Sequence, residues 1–95
     1  MKNISVSSLD ELVKWVISVD RRLVLMETMK GHNVVRASDI AHETSRSTQN
    51  ISRALKELED KGLIECLTPE KVTWKKYVLT DRGKEVLNIL EQKYL

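Results

Sequence analysis

Between Ser47 and Gly62 the chain places Ile51, Leu55 and Leu58 at i, i+4 and i+7, with Ala54 beside them. That spacing gathers four apolar residues on one stripe of an α-helix and requires something to cover it. Ser47 is a suitable N-cap and Gly62 a suitable stop, so a helix is predicted over 48–61. Just upstream, Ser38 offers another N-cap with Asp39 at the positive end, predicting a short helix over about 38–45. Ser45-Arg46-Ser47 interrupts the pattern between them. Two short helices joined by so brief a turn narrow the architectures open to the chain.

The flanks narrow them further. Leu63 to Leu67 and Trp74 to Leu79 are rich in apolar, β-branched and aromatic residues, and the stretch between them carries the only Pro. This reads as a β-hairpin with its tip near residues 68–73. Val34-Val35-Arg36 predicts a brief strand ahead of the short helix. Near the start, Ser8 and Glu11 have capping-box spacing, and Leu9, Leu12, Val13 and Val16 predict a helix over 8–18. Asp20 is a further capping candidate for a helix over 20–30, which ends at Lys30-Gly31. Thr80 and Asp81 open a last helix with Val86, Leu87, Leu90 and Tyr94 on one stripe, although Gly83 in its first turn costs about 1 kcal/mol relative to Ala. The expected order is α-α-β-α-α-β-β-α, a mostly α fold with a small β-hairpin (α+β). No repeat or linker divides the chain, so residues 1–95 are expected to form one domain.

Composition limits the function classes. Lys and Arg outnumber Asp and Glu by 16 to 14, which by itself does not call for a polyanionic partner, because charge acts by location. Cys66 is the single cysteine and sits in an apolar run, where packing accounts for it. His32 and His42 stand alone, so no metal and no cofactor are expected. There is no nucleophile paired with a base, no carboxylate pair and no phosphate-cradling Gly loop, so an enzyme is not expected. No apolar run approaches the ~20 residues of a membrane span, and a signal-peptide pattern is absent; the expectation is a soluble, cytoplasmic protein.

A helix–turn–helix followed by a hairpin is a unit whose second helix can enter a DNA major groove. With Ile51, Ala54, Leu55 and Leu58 inward, the other side of that helix carries Thr48, Gln49, Asn50, Ser52, Arg53 and Lys56, preceded by Arg46 and Ser47, with no acid from Arg46 through Lys56. Gln and Asn can pair bidentately with adenine and Arg with guanine, while Ser and Thr hydroxyls serve bases or phosphates. Lys71, Lys75 and Lys76 in the hairpin, and Arg36 before the short helix, are candidate phosphate contacts. The plainer readings are a solvated polar face and lysines that protect a sheet edge; the missing acids and the adjacent hairpin favour double-stranded DNA.

Four segments carry a family likeness: Ser38-Asp39-Ile40-Ala41; Ser47-Thr48 with Ser52-Arg53-Ala54-Leu55-Lys56-Glu57-Leu58-Glu59; Lys61-Gly62-Leu63-Ile64; and Tyr77-Val78-Leu79-Thr80-Asp81-Arg82-Gly83-Lys84. Over about 36–87 the chain resembles the bacterial and archaeal winged-helix regulators of the MarR and ArsR type. The resemblance implies a helix–turn–helix at about 38–61 with the later helix as recognition helix, a wing within 63–79 whose contact segment is 68–76, and terminal helices at 8–30 and 81–94. The Cys motif of ArsR-type metal sensors is absent. Trp15 and Ile17 beside the first stripe, and Ile89 and Leu95 beside the last, exceed what one stripe needs and suggest a homodimer interface. A two-fold dimer would set two recognition helices about 34 Å apart and read a roughly palindromic site. Any small-molecule effector would need to bind at that interface. The alternative from another class is a winged-helix protein adaptor without direct DNA contact. An RNA role would need stacking aromatics, for which Trp74 is the one candidate.

Overall fold

The computed structural model describes residues 8–70 and 75–94. The elements run α1 (Leu9–Ile17), α2 (Asp20–Met29), β1 (Val35–Arg36), α3 (Ala37–Thr44), α4 (Thr48–Asp60), β2 (Ile64–Cys66), β3 (Lys76–Leu79) and α5 (Asp81–Lys93). This is the expected order, mostly helical, and it forms a winged helix.

Local chemistry sets most of the boundaries. Ser8 and Glu11 close a reciprocal capping box at α1, with bonds of 3.0 and 3.1 Å. Ser47 Oγ accepts from Asn50 N at 3.0 Å and caps α4, and Thr80 Oγ1 does the same for α5 with Gly83 N. Two expected caps are corrected. Asp20 is the first residue of α2, behind Val19, and Ser38 lies inside α3, whose N-cap is Arg36; neither cap makes a side-chain bond. The extended backbone of β1 runs straight into α3, so the cap position falls on the last strand residue.

α3 and α4 end alike. Ser45 takes a left-handed φ of 57° and Arg46 N donates to Ala41 O at 3.0 Å. Gly62 takes φ 76° and Leu63 N donates to Leu58 O at 3.0 Å. A left-handed residue followed by a 6→1 bond stops a helix within one residue and turns the chain sharply. That is how α3 passes to α4, and α4 to β2, with almost no intervening loop.

The strands form one antiparallel sheet in the order β1-β3-β2. The hairpin was expected; the pairing of β1 along its outer strand, Val35 with Tyr77 and Arg36 with Lys76, was not. The strands are shorter than predicted, and Val34 lies outside β1 and is 45% exposed. Alternation turns Val35, Ile64, Cys66 and Tyr77 toward the helices and leaves Arg36, Glu65 and Lys76 on the outer face.

The buried residues make one cluster built from every helix and from β1 and β2. Ile51, Ala54, Leu55 and Leu58 of α4 are all at most 2% exposed. The α5 stripe is corrected at its end: Val86, Leu87 and Leu90 are buried, but Tyr94 is 50% exposed. Gly83 is buried where a Cβ would run into the Leu63 carbonyl oxygen, so α5 crosses the β2 start at backbone distance. Thr80 completes the junction, with Thr80 N donating to Leu63 O at 3.0 Å and Oγ1 donating to Gly62 O at 2.7 Å. No helix among the described residues is long and apolar enough to cross a membrane.

Candidate nucleic-acid interface

α4 packs on both α2 and α3 through its apolar stripe, which leaves its other side to solvent. Thr48, Gln49, Ser52, Arg53 and Lys56 are exposed there, and Asn50 is half-buried. No acidic residue lies in the first turn of α4, so its uncompensated N–H groups and its polar face share one sign of potential.

The cations of this region differ in what they already hold. Arg53 makes no ion pair or hydrogen bond among the described residues. Lys56 lies 3.6 Å from Asp60 one turn on, both side chains being well exposed, a pairing worth little in water. Arg46 is turned back: Nη1 donates to Asn50 Oδ1 at 3.0 Å and Nη2 reaches the Asp20 carboxylate at the start of α2. Its side chain is 26% exposed. Arg36 is occupied by Asp39, with Nε donating to Oδ2 at 3.0 Å. Ser47, placed in the interface by its sequence position, uses its oxygen as the α4 cap.

Of the hairpin lysines, Lys76 is exposed on β3 and Lys75 half-buried just before it; the Lys76 backbone is tied down by Leu67 N at 2.8 Å and Thr68 Oγ1 at 3.0 Å. Lys71 and Trp74 lie outside the described residues, as does Leu95 of the expected dimer surface. Trp15, Ile17 and Ile89 from that surface are half-buried and pack on the core. One face of Trp15 is covered by the Arg22 guanidinium, 3.9 Å from the ring centroid, and Lys61 Nζ stands 5.4 Å away.

Sequence reasoning missed a brace behind the interface. Glu57, on the α2 side of α4, accepts from Arg21 Nε at 2.9 Å and Nη2 at 2.5 Å, and from Arg22 Nε at 3.3 Å. Arg22 also donates to the Trp15 carbonyl at 2.9 Å. The Arg21 hydrogen bond, opposed by partial burial and reinforced by Arg22, holds the Glu57 carboxyl below the usual carboxylate range. The available signal was the cluster Asp20-Arg21-Arg22 at a helix start, whose three charges all reach toward α4 or its preceding turn.

Two chemical properties follow. From Thr48 through Lys56 the exposed face of α4 offers hydrogen-bond donors, amides and hydroxyls to a partner, and its acids, Glu59 and Asp60, come only at the far end of the helix. The brace and the stripe fix its orientation from behind. No curated protein matches the chain. A model of the MarR family matches residues 18–70, more than half of it, from α2 through α3 and α4 to the end of β2. The chain therefore belongs to the MarR family and is a winged-helix transcriptional regulator.

Proposed function

We propose that this regulator binds double-stranded DNA sequence-specifically as a homodimer, with α4 in the major groove and the hairpin over residues 68–76 on the flanking backbone. The observation that carries the reading is the division of α4: an apolar stripe wholly buried, and an opposite face of Thr48, Gln49, Ser52, Arg53 and Lys56 exposed, with no acid before the last turn of the helix. Arg53, which makes no ion pair or hydrogen bond among the described residues, is the residue assigned to a guanine edge, and Gln49 the one suited to adenine. Lys75, Lys76 and Lys71 act on phosphates, supplying affinity common to all sequences. Ile17 and Ile89, on α1 and α5, supply the meeting surface of two copies, to which Trp15 and Leu95 add. The protein acts as one domain in the cytoplasm.

The test is a fluorescence-anisotropy titration of a mixed-sequence duplex at two salt concentrations, with the mass of the free protein from light scattering. Binding that weakens several-fold with salt, by a particle of twice the chain mass, supports the proposal. Absence of binding at low salt favours the adaptor reading, for which Val34 and Leu67, 45% and 50% exposed beside Arg36 and Lys76, supply an apolar contact.

A further inference from the structure

Two holds act on α4 behind its exposed face, at different points along it. At its C-terminal end the bonds of Thr80 to Gly62 O and Leu63 O tie it to the start of α5. A helix held at one end still turns about that end, and a second hold part-way along sets its angle. Glu57 provides the second hold, and Arg21 joins it to α2. Arg22 reaches further. Its Nε and Nη2 face the two Glu57 oxygens at 3.3 and 3.4 Å, Nη1 donates to the Trp15 carbonyl of α1 at 2.9 Å, and the guanidinium carbon lies 3.9 Å from the centre of the Trp15 ring. The side chain is only 13% exposed. α1 packs chiefly on α2 and α5, and α4 chiefly on α2 and α3, so apolar packing joins α1 to α4 mainly through a third helix. Packed helices slide past one another by small amounts, whereas a planar guanidinium that serves a carboxylate, a carbonyl and a ring together fixes direction.

We infer that Arg22 is a positioning residue that fixes the angle of α4 against α1, and through it the separation of half-sites that two copies of the chain accept on one duplex. The inference rests on the proposed homodimer and on the docking of α4 in the major groove, and it names what sets the spacing between the two docked helices. α1 carries Trp15 and Ile17 of the proposed meeting surface, so an angle measured from α1 is an angle measured from the dimer. From Gly62 back to Gln49 is ~20 Å along the helix axis. A swing of ~10° about the Gly62 end therefore moves the Gln49 end by ~3.4 Å, about one base-pair step. Loss of the Arg22 contacts leaves the Arg21 fork on Glu57. α4 then keeps its hold on α2 and its reading face, while its angle to the α4 of the second copy is less narrowly set.

The experiment uses the full chain. Selection from a randomised pool first yields the half-sites and spacing that the wild type prefers. Anisotropy titrations then compare duplexes with that spacing, with the spacer one base pair longer or shorter, and with one half-site scrambled. The wild type is expected to favour the selected spacing over its neighbours by ~10-fold or more. Arg22→Met, with folding checked by its melting curve, is expected to reduce that ratio by ~5-fold or more while its affinity for the duplex with one scrambled half-site stays within ~2-fold of the wild type. An equal loss on every duplex, which a purely structural role would give, leaves the ratio unmoved and overturns the inference, as does a wild type indifferent to spacing. A free protein of single-chain mass, or no binding to any duplex at low salt, overturns the homodimer or the DNA reading itself and the inference with it. If Arg22→Met fails to fold, Arg22→Lys keeps a charge beside Glu57 but cannot both donate to the Trp15 carbonyl and lie flat on its ring. It must lower the ratio in the same direction, and an unmoved ratio overturns the inference.

Discussion

Glu57 and Arg21 meet through two parallel hydrogen bonds, Nε to Oε1 at 2.9 Å and Nη2 to Oε2 at 2.5 Å, across 36 residues of chain. The pair joins α4 to α2, and its side chains are only 22% and 23% exposed. A two-point fork of this kind fixes direction as well as distance.

The carboxyl of Glu57 is therefore expected to report on stability as pH changes. Its value in the folded chain is depressed, chiefly by the Arg21 hydrogen bond. A depressed folded value means that the contribution is complete above the ordinary carboxylate pKa and is lost as pH falls through the lower, folded value. Glu57→Gln should lower the melting temperature by a few degrees near neutral pH, and that deficit should shrink on going to about pH 3. Thermal unfolding followed by circular dichroism checks it; a deficit that stays constant over the range contradicts the role given to the charge.

Arg53 and Lys75 should separate specificity from affinity. Arg53→Ala is expected to cost about 1–3 kcal/mol on the preferred duplex and to relax choice at one position, whereas Lys75→Ala should weaken all duplexes alike and reduce the salt slope by about 1. Competition titrations with matched and scrambled duplexes measure both. Unchanged binding of every duplex by Arg53→Ala would remove α4 from the groove.

Gly83 and Gly31 should respond oppositely to alanine. A Cβ at Gly83 would overlap the Leu63 carbonyl oxygen, which belongs to the backbone and cannot swing aside, whereas a Cβ at Gly31 meets nothing within 4 Å. Gly83→Ala should destabilise the fold by about 1–3 kcal/mol in spite of its better helix propensity. Gly31→Ala should be close to neutral. Urea denaturation midpoints decide between this and a simple propensity gain at both sites.

Thr80→Ala should cost more than Ser47→Ala. Each loses a cap worth about 1 kcal/mol, but Thr80 Oγ1 also donates to Gly62 O at 2.7 Å and its removal leaves that carbonyl without the bond. Thr80→Ser keeps both bonds and should recover most of the loss. Chemical denaturation of the three variants in parallel gives the ranking.

What the sequence disclosed was local. The α4 stripe could be read because Ile51, Leu55 and Leu58 recur at helical spacing, and the caps at Ser8, Ser47 and Thr80 because each partner lies three residues away. The exposed polar face of α4 followed from the same periodicity. Ser38 misled because a short polar residue before a helix is a cap only when the backbone enters from an extended segment at that residue, and here the extended segment is β1 and ends at Arg36. The return of Arg46 to Asp20 and of Glu57 to Arg21 was hidden for another reason. Both depend on how α2 lies across α4, and no spacing along the chain encodes that crossing. β1 was visible as an element, but two residues carry too little pattern to name their partner strand.

The junction of Gly62, Leu63 and Thr80 closes the hairpin at its root, where β2 begins and β3 ends. Because those bonds lie on the α4 side of the paired strands, the chain beyond the strands can be lengthened without altering the direction in which α4 leaves its last turn. Loop closure grows only logarithmically with length, about 0.6 kcal/mol for each doubling. Hairpin length and the aim of α4 are thus independently adjustable quantities in this scaffold, and a longer segment grafted between Leu67 and Lys75 would change the first while sparing the second.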